Sequence, residues 1–187
     1  MNEAITSAQN RLPAGGELIS VFSFIAFLVY GRMLFVFAWK LPSWLMFLTG
    51  KEILAILSYS VFVSLLESAG YGLVFSLVAF LLPGKWFRDQ FVTRSVWALS
   101  VWFLSLLIYF TRLSNSKIAD TLLSQPTLFA WLAVTLTVVI LIVFLAGRMS
   151  FMRKAALWFA EQSIVFLFLL VPASLAGMVV VIIRNLS

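Results

Sequence analysis

The sequence predicts an all-α integral membrane protein, a polytopic helical bundle that forms a single transmembrane domain over residues 1–187. The first observation is composition: 63% of the residues are hydrophobic, 11% are charged, and the mean hydropathy is +1.09. Soluble domains carry roughly 25% charged residues, so this composition is not that of a water-soluble fold. The second is that several apolar runs reach the roughly 20 residues that cross a hydrocarbon core. The third is that most tryptophans lie near the ends of these runs, which is typical of an interfacial aromatic belt.

The first predicted crossing follows a polar segment. Residues 1–17 are expected to form a short tail, with a turn at the proline and glycines of residues 13–16. The apolar run then extends from Leu18 to Trp39 and contains one charge, Arg32. Lys40 and the interfacial Trp44 are expected to mark its end, because cationic and aromatic side chains favour the headgroup region.

Four later apolar runs are of two kinds. Two are close to one bilayer thickness, Ser95 to Thr111 and Thr127 to Gly147, and two are much longer, Ile53 to Leu82 and Ala155 to Ile183. The last run contains Pro172 in its middle, which predicts a kink. The small residues Ala173 and Gly177, four apart, predict a close approach to a neighbouring helix, and Ala156 with Ala160 forms a second such pair.

The run from Ile53 to Leu82 leaves two topologies open. As one helix it would be about 45 Å long and would have to tilt or protrude from the bilayer, giving five crossings. If the chain instead turns at Glu67 to Gly72, where two glycines disfavour a helix interior, the bundle has six crossings.

The distribution of basic residues favours six crossings. With six helices and the N-terminus outside, eight basic residues lie in inner loops and four in outer ones. With five helices and the N-terminus inside, seven basic residues lie in inner loops and five in outer ones. Because cytoplasmic loops carry an excess of lysine and arginine, the six-helix bundle is the preferred prediction and the five-helix bundle the alternative.

The residue inventory excludes most catalytic chemistry. The chain has no histidine and no cysteine, which removes disulfides, imidazole or thiolate metal sites, and Ser-His or Cys-His nucleophilic pairs. Its aspartates, Asp89 and Asp120, fall in loops, so an intramembrane aspartyl dyad is not expected. We therefore predict no catalytic residue, no cofactor and no metal, and a protein that is not an enzyme. The net charge of +6 sits in short gaps between apolar runs, so nucleic acid is not an expected partner.

Charges inside or near the apolar runs are the candidate functional residues, because ionisable groups at bilayer depth are rare and usually functional. The candidates are Arg32, Glu67 and Glu161, together with a stripe on one helical face formed by Ser60, Ser64, Ser68 and Tyr71 around Glu67. The topology decides the partner of Arg32. Six crossings place Arg32 level with Glu161, whereas five crossings direct it towards Glu67.

Two functions are compatible with these residues. The first is a non-enzymatic accessory, scaffold or assembly protein that acts through helix contacts, which explains the sparse polar inventory. The alternative is a small transporter or channel subunit with an intramembrane polar path around Glu67, Arg32 and Glu161. The expected partners are the lipid bilayer and either another membrane protein or a second copy of the chain. The expected location is a cell membrane of the cytoplasmic type, crossed several times.

Overall fold

A computed structural model describes residues 15–81, 90–113 and 124–186, and these residues form five long helices. In chain order the helices are α1 (Gly15–Phe47), α2 (Gly50–Leu81), α3 (Phe91–Leu113), α4 (Gln125–Arg148) and α5 (Ser150–Leu186). Each is long and apolar enough to cross a membrane. The predicted helical membrane bundle is confirmed. Most of the predicted tail, residues 1–14, lies outside the described residues.

The preferred count of six crossings is wrong, because α2 continues without a break through Glu67 to Gly72. Neither Gly70 nor Gly72 adopts a positive φ, so the freedom that would permit a turn is not used. In a bilayer a continuous helix satisfies its own backbone hydrogen bonds, and this outweighs the low helix propensity that glycine shows in water. Phe22 also packs closely over Gly72, where an added Cβ would lie 2.9 Å from its ring.

The helix boundaries differ from the predicted ones at both ends of α1. The helix begins at Gly15, so the predicted turn at residues 13–16 does not extend to the two glycines. It also runs past Lys40 and Pro42 as far as Phe47. The reversal into α2 occurs at Thr49, where the amide nitrogen and the hydroxyl of Thr49 each donate to Oε2 of Glu52 at 2.8 Å. The amide nitrogen of Glu52 in turn donates to Oγ1 of Thr49 at 3.4 Å. Together these bonds form a capping box, in which residue i and residue i+3 satisfy the exposed amides of a helix N-terminus.

The five helices alternate in direction, so their ends meet at two faces. We call the N-terminal face the one at which α1, α3 and α5 begin and α2 and α4 end. Helices α1, α2 and α5 pack against one another, and α3 packs against α4 as well as against α1 and α5. The three mutually packed helices contain 32 to 37 residues, whereas α3 and α4 contain 23 and 24. At about 1.5 Å per residue, the short helices match one bilayer thickness and the long ones exceed it.

The packed core lies in the half of the bundle nearest the N-terminal face. Its buried apolar residues come from α1, α3 and α5 and are Val21, Phe24, Ile25, Val29, Phe91, Val96, Leu99, Ala156 and Ala160. The buried residues of α5 are all small: Ala156, Ala160, Ser163, Ser174 and Gly177. The predicted close approach occurs at Gly177, where an added Cβ would lie 2.9 Å from the carbonyl oxygen of Ser58. Large side chains such as Phe168 point outwards, as expected for a lipid-facing surface.

Candidate functional site

An ion pair between α1 and α2 forms the candidate site. Nη2 of Arg32 donates to both carboxylate oxygens of Glu67, at 2.8 Å to Oε1 and 2.7 Å to Oε2. The pairing is the one expected for five crossings, and it exists because α2 is continuous and carries Glu67 alongside α1. Charge-assisted hydrogen bonds of this length are among the stronger polar contacts in proteins.

The pair lies at mid-depth in the bundle. Arg32 follows 17 residues after the first residue of α1, Gly15, and Glu67 follows 17 residues after the first residue of α2, Gly50. In helices of 33 and 32 residues, both positions are therefore close to the middle. The nearest helix end is about 20 Å away at 1.5 Å per residue. For a helix centred in the bilayer, such a position is close to the middle of the hydrocarbon core, which is about 30 Å thick.

The pair sits on the outer surface of the bundle and is only partly satisfied. The side chains of Arg32 and Glu67 are 46% and 28% exposed. A guanidinium group has five N–H donors, and the contacts to Glu67 engage those of Nη2 alone. Among residues 15–81, 90–113 and 124–186, nothing accepts from Nε or Nη1 of Arg32. At hydrocarbon depth each unsatisfied polar group costs several kcal/mol, so these donors require an acceptor beyond the described residues.

The predicted serine stripe on α2 does not form a polar path. Ser64 and Ser68 are 3% and 0% exposed, and the hydroxyl of Ser68 donates to the carbonyl oxygen of Ser64 at 2.7 Å. Ser60 is half-buried. Tyr71 is half-buried and packs against Phe103 of α3, with ring centroids 5.3 Å apart. The serines therefore allow close packing of α2, and Glu67 is the member of the stripe that makes a charged contact.

The predicted pairing of Arg32 with Glu161 is wrong. Glu161 lies on α5 with its side chain exposed, and it forms no ion pair within the described residues. The prediction depended on a chain reversal at Glu67, and the continuity of α2 removes that reversal. The three candidate charges are thus divided into one pair, Arg32 with Glu67, and one separate carboxylate.

Several polar contacts between helices were not predicted, because each joins residues far apart in the sequence. The hydroxyls of Tyr30 and Ser174 hydrogen-bond between α1 and α5 in a buried setting. Ser105 and Thr135 join α3 to α4 at 2.7 Å. Nε1 of Trp97 donates to the carbonyl oxygen of Met152 at 3.0 Å and fixes α3 against the start of α5. Tyr30 could have been singled out as the only tyrosine inside the first apolar run, but its partner could not.

In the described part of the chain, no group of three or more histidine, cysteine, aspartate or glutamate side chains is placed to bind a metal ion. Comparison with models of protein families, with curated proteins and with solved structures gave no match to this chain. The arrangement of its own residues is therefore the basis for a functional proposal.

Proposed function

We propose that the protein is a non-enzymatic accessory, scaffold or assembly protein, which binds a partner transmembrane helix over the Arg32–Glu67 pair. The supporting observation is the orientation of this pair. It lies at mid-depth on the outside of the bundle, and the outward guanidinium donors have no acceptor among the described residues. A helix with a carbonyl, hydroxyl or carboxylate group at that level would satisfy these donors and cover the charges from lipid.

The surface around the pair is suited to such a contact. Phe35 and Val63, one turn from Arg32 and Glu67 on their respective helices, are 67% and 53% exposed. They place apolar contact area beside the polar group, which is the arrangement expected of a helix interface in which hydrogen bonds give specificity and packing gives area. The membrane we propose is of the cytoplasmic type, with the N-terminal face inside, because for five crossings this orientation assigns seven basic residues of the sequence to inner loops and five to outer ones.

Site-specific photo-crosslinking in cells tests the proposal. A photoreactive residue replaces Phe35 in one variant and Phe168, an outward residue of α5 that is 79% exposed, in a matched control. We expect position 35 to capture one discrete transmembrane protein and position 168 to capture none. A crosslink between two copies of the chain would identify a second copy as the occupant. Equal, diffuse labelling at the two positions would contradict the proposal.

A double variant separates the partner contact from the integrity of the bundle. Replacing both charges, Arg32→Leu with Glu67→Leu, removes the pair without leaving one charge alone, and such replacements are often neutral or stabilising. We expect the double variant to fold normally and to lose the crosslink at position 35. Retention of that crosslink at the level of the parent chain would show that the pair does not bind the partner.

One observation favours the alternative, a small transporter or channel subunit. A charged pair at mid-depth, bridging two helices, is the kind of group that lines a transport path. Against it stand the outward orientation of the pair, the separate position of Glu161, and the burial of Ser64 and Ser68 in helix packing. Proteoliposomes containing the protein and a trapped pH-sensitive dye test this alternative for protons. Flux that Glu67→Gln abolishes would favour the transporter over the scaffold.

A further inference from the structure

A second polar cluster lies at the N-terminal face, well away from the Arg32–Glu67 pair. It is formed where α4 turns into α5 beside the first turn of α3. Two adjoining cavities of about 150 and 200 Å³ meet there, and both are lined by Gly147 and Arg148. Arg94 lines the first cavity, and Gln90 and Arg153 line the second. Arg148 lines both cavities, so it connects Arg94 of the first cavity with Arg153 of the second.

The cluster contains buried polar atoms without partners. Nε of Arg94 and Oε1 of Gln90 are both inaccessible to solvent, and neither has a hydrogen-bond partner among the described residues. No described carboxylate forms an ion pair with Arg94, Arg148 or Arg153. Buried polar groups are normally satisfied, and those that are not indicate a ligand, an ion or a water. A ligand that satisfies Arg94 must supply an acceptor, and three arginines that have no carboxylate partner among the described residues favour an anion.

The backbone and packing around the cluster hold the arginines in place. An added Cβ at Gly147 would lie 3.1 Å from Nη2 and 3.5 Å from Nε of Arg94, so the donor edge of this guanidinium packs closely against the backbone of Gly147. The guanidinium of Arg148 stacks over the ring of Phe144, 4.2 Å from its centroid. Gln90 has a φ of 73°, in the left-handed region that few non-glycine residues adopt.

The position of the cluster in the bundle also favours an anion. It lies at the first turn of α5, whose backbone amides lack partners within the helix, and beside the last turn of α4, whose carbonyl groups offset the positive dipole of α5. It is at the N-terminal face, where the headgroups of anionic lipids lie when that face is cytoplasmic. The planar donor edge of arginine matches the oxygens of a phosphate better than it matches a halide.

We propose that Arg94, Arg148 and Arg153, with Gln90, form a phosphate-binding site at the N-terminal face. The phosphate belongs either to the headgroup of an anionic phospholipid or to a soluble phosphate ester. The oxygens accept from Arg94 in the interior of the site and from Arg148 and Arg153 nearer its mouth. The side-chain amide of Gln90 has a donor and an acceptor group, so after rotation it satisfies a further oxygen or a hydroxyl of the same ligand.

Binding measurements on the purified full chain test the site and distinguish the two sources. Native mass spectrometry compares the retention of phosphatidylglycerol with that of phosphatidylcholine. Calorimetric titration with glycerol 3-phosphate and with inorganic phosphate measures soluble ligands. Preferential retention of phosphatidylglycerol without soluble binding identifies a lipid headgroup, and saturable binding of glycerol 3-phosphate identifies a soluble ester. Equal retention of the two lipids together with no soluble binding overturns the proposal.

Substitutions test whether the ligand binds at this cluster. Arg94→Gln should weaken retention of the preferred ligand about tenfold or more, the effect expected for a charge-assisted hydrogen bond. Arg112→Gln is the matched control, because it makes the same change in charge at the other end of α3, and it should leave binding within about twofold. Arg153→Gln is the second variant, since Arg153 is exposed and its loss should not impair folding. Equal binding by all three variants and the parent chain would overturn the proposal.

Discussion

Tyr30 and Arg32 are two residues apart on α1 and show two opposite uses of a polar group within a membrane. The hydroxyl of Tyr30, a residue that is 2% exposed, bonds to Ser174 of α5 inside the bundle. The guanidinium of Arg32 is 46% exposed and bonds to Glu67 of α2 on the outside. The first contact is neutral and complete. The second is charged and leaves donors directed away from the chain.

The difference indicates which polar groups hold the bundle together and which are available to a partner. A neutral hydroxyl pair can be buried at small cost when both partners are satisfied, as Ser174 is by its second bond to the carbonyl oxygen of Leu170 at 2.6 Å. A charged pair cannot be buried cheaply, and in lipid it cannot be screened by water. The position of the Arg32–Glu67 pair is therefore the basis for the proposed contact with a partner helix.

The largest expected effect comes from breaking the charged pair on one side only. Glu67→Leu leaves Arg32 without its carboxylate at mid-depth and should destabilise the bundle by about 3 kcal/mol. The double variant with Leu at both positions should return to within about 1 kcal/mol of the parent chain. Equilibrium unfolding in lipid bicelles measures both. A double variant as unstable as the single one would mean that the pair itself holds α1 to α2.

A smaller effect is expected when a methyl group is added where α2 and α5 approach each other closely inside the bundle. Gly177→Ala should destabilise the bundle by about 1–3 kcal/mol, because the new methyl group meets the backbone of Ser58 and the helices must separate. Gly31→Ala is the matched control, since nothing lies near its added methyl group. It should be neutral or slightly stabilising in the same unfolding measurement. Equal losses in the two variants would contradict a specific α2–α5 contact at Gly177.

The smallest effect is expected from removing the buried neutral bond. Tyr30→Phe should cost about 0.6 kcal/mol and at most about 1.7 kcal/mol, the range measured for hydrogen bonds between transmembrane helices. Ser174 keeps its backbone acceptor, so no buried group is left unsatisfied. Tyr59→Phe removes the more exposed bond to Asn185 and serves as the comparison in thermal unfolding. A larger loss of unfolding free energy for Tyr30→Phe than for Glu67→Leu would contradict this order of effects for the two contacts.

The sequence alone determined the class of the protein and most of its lipid-facing surface. Composition and run length suffice for this, because the bilayer is a uniform solvent that imposes helices about 20 residues long and apolar on the outside. The pairs of small residues on α5 also predicted close packing. Ala156, Ala160 and Gly177 are buried as expected, whereas Ala173 is exposed and Ser174 is buried in its place. The exclusion of histidine and cysteine chemistry likewise follows from the sequence without any structure.

Only the tertiary structure decided the number of helices and the partner of each polar residue. A run of 30 apolar residues fits one tilted helix or two short ones, and the charge distribution favoured the wrong count by a small margin. The packing of Phe22 over Gly72 and the pairing of Arg32 with Glu67 are contacts between α1 and α2 that one continuous α2 allows. Such contacts depend on the relative rotation of whole helices, which local sequence does not specify. For the same reason, Arg94, Arg148 and Arg153 form a cluster only once α3, α4 and α5 are placed together.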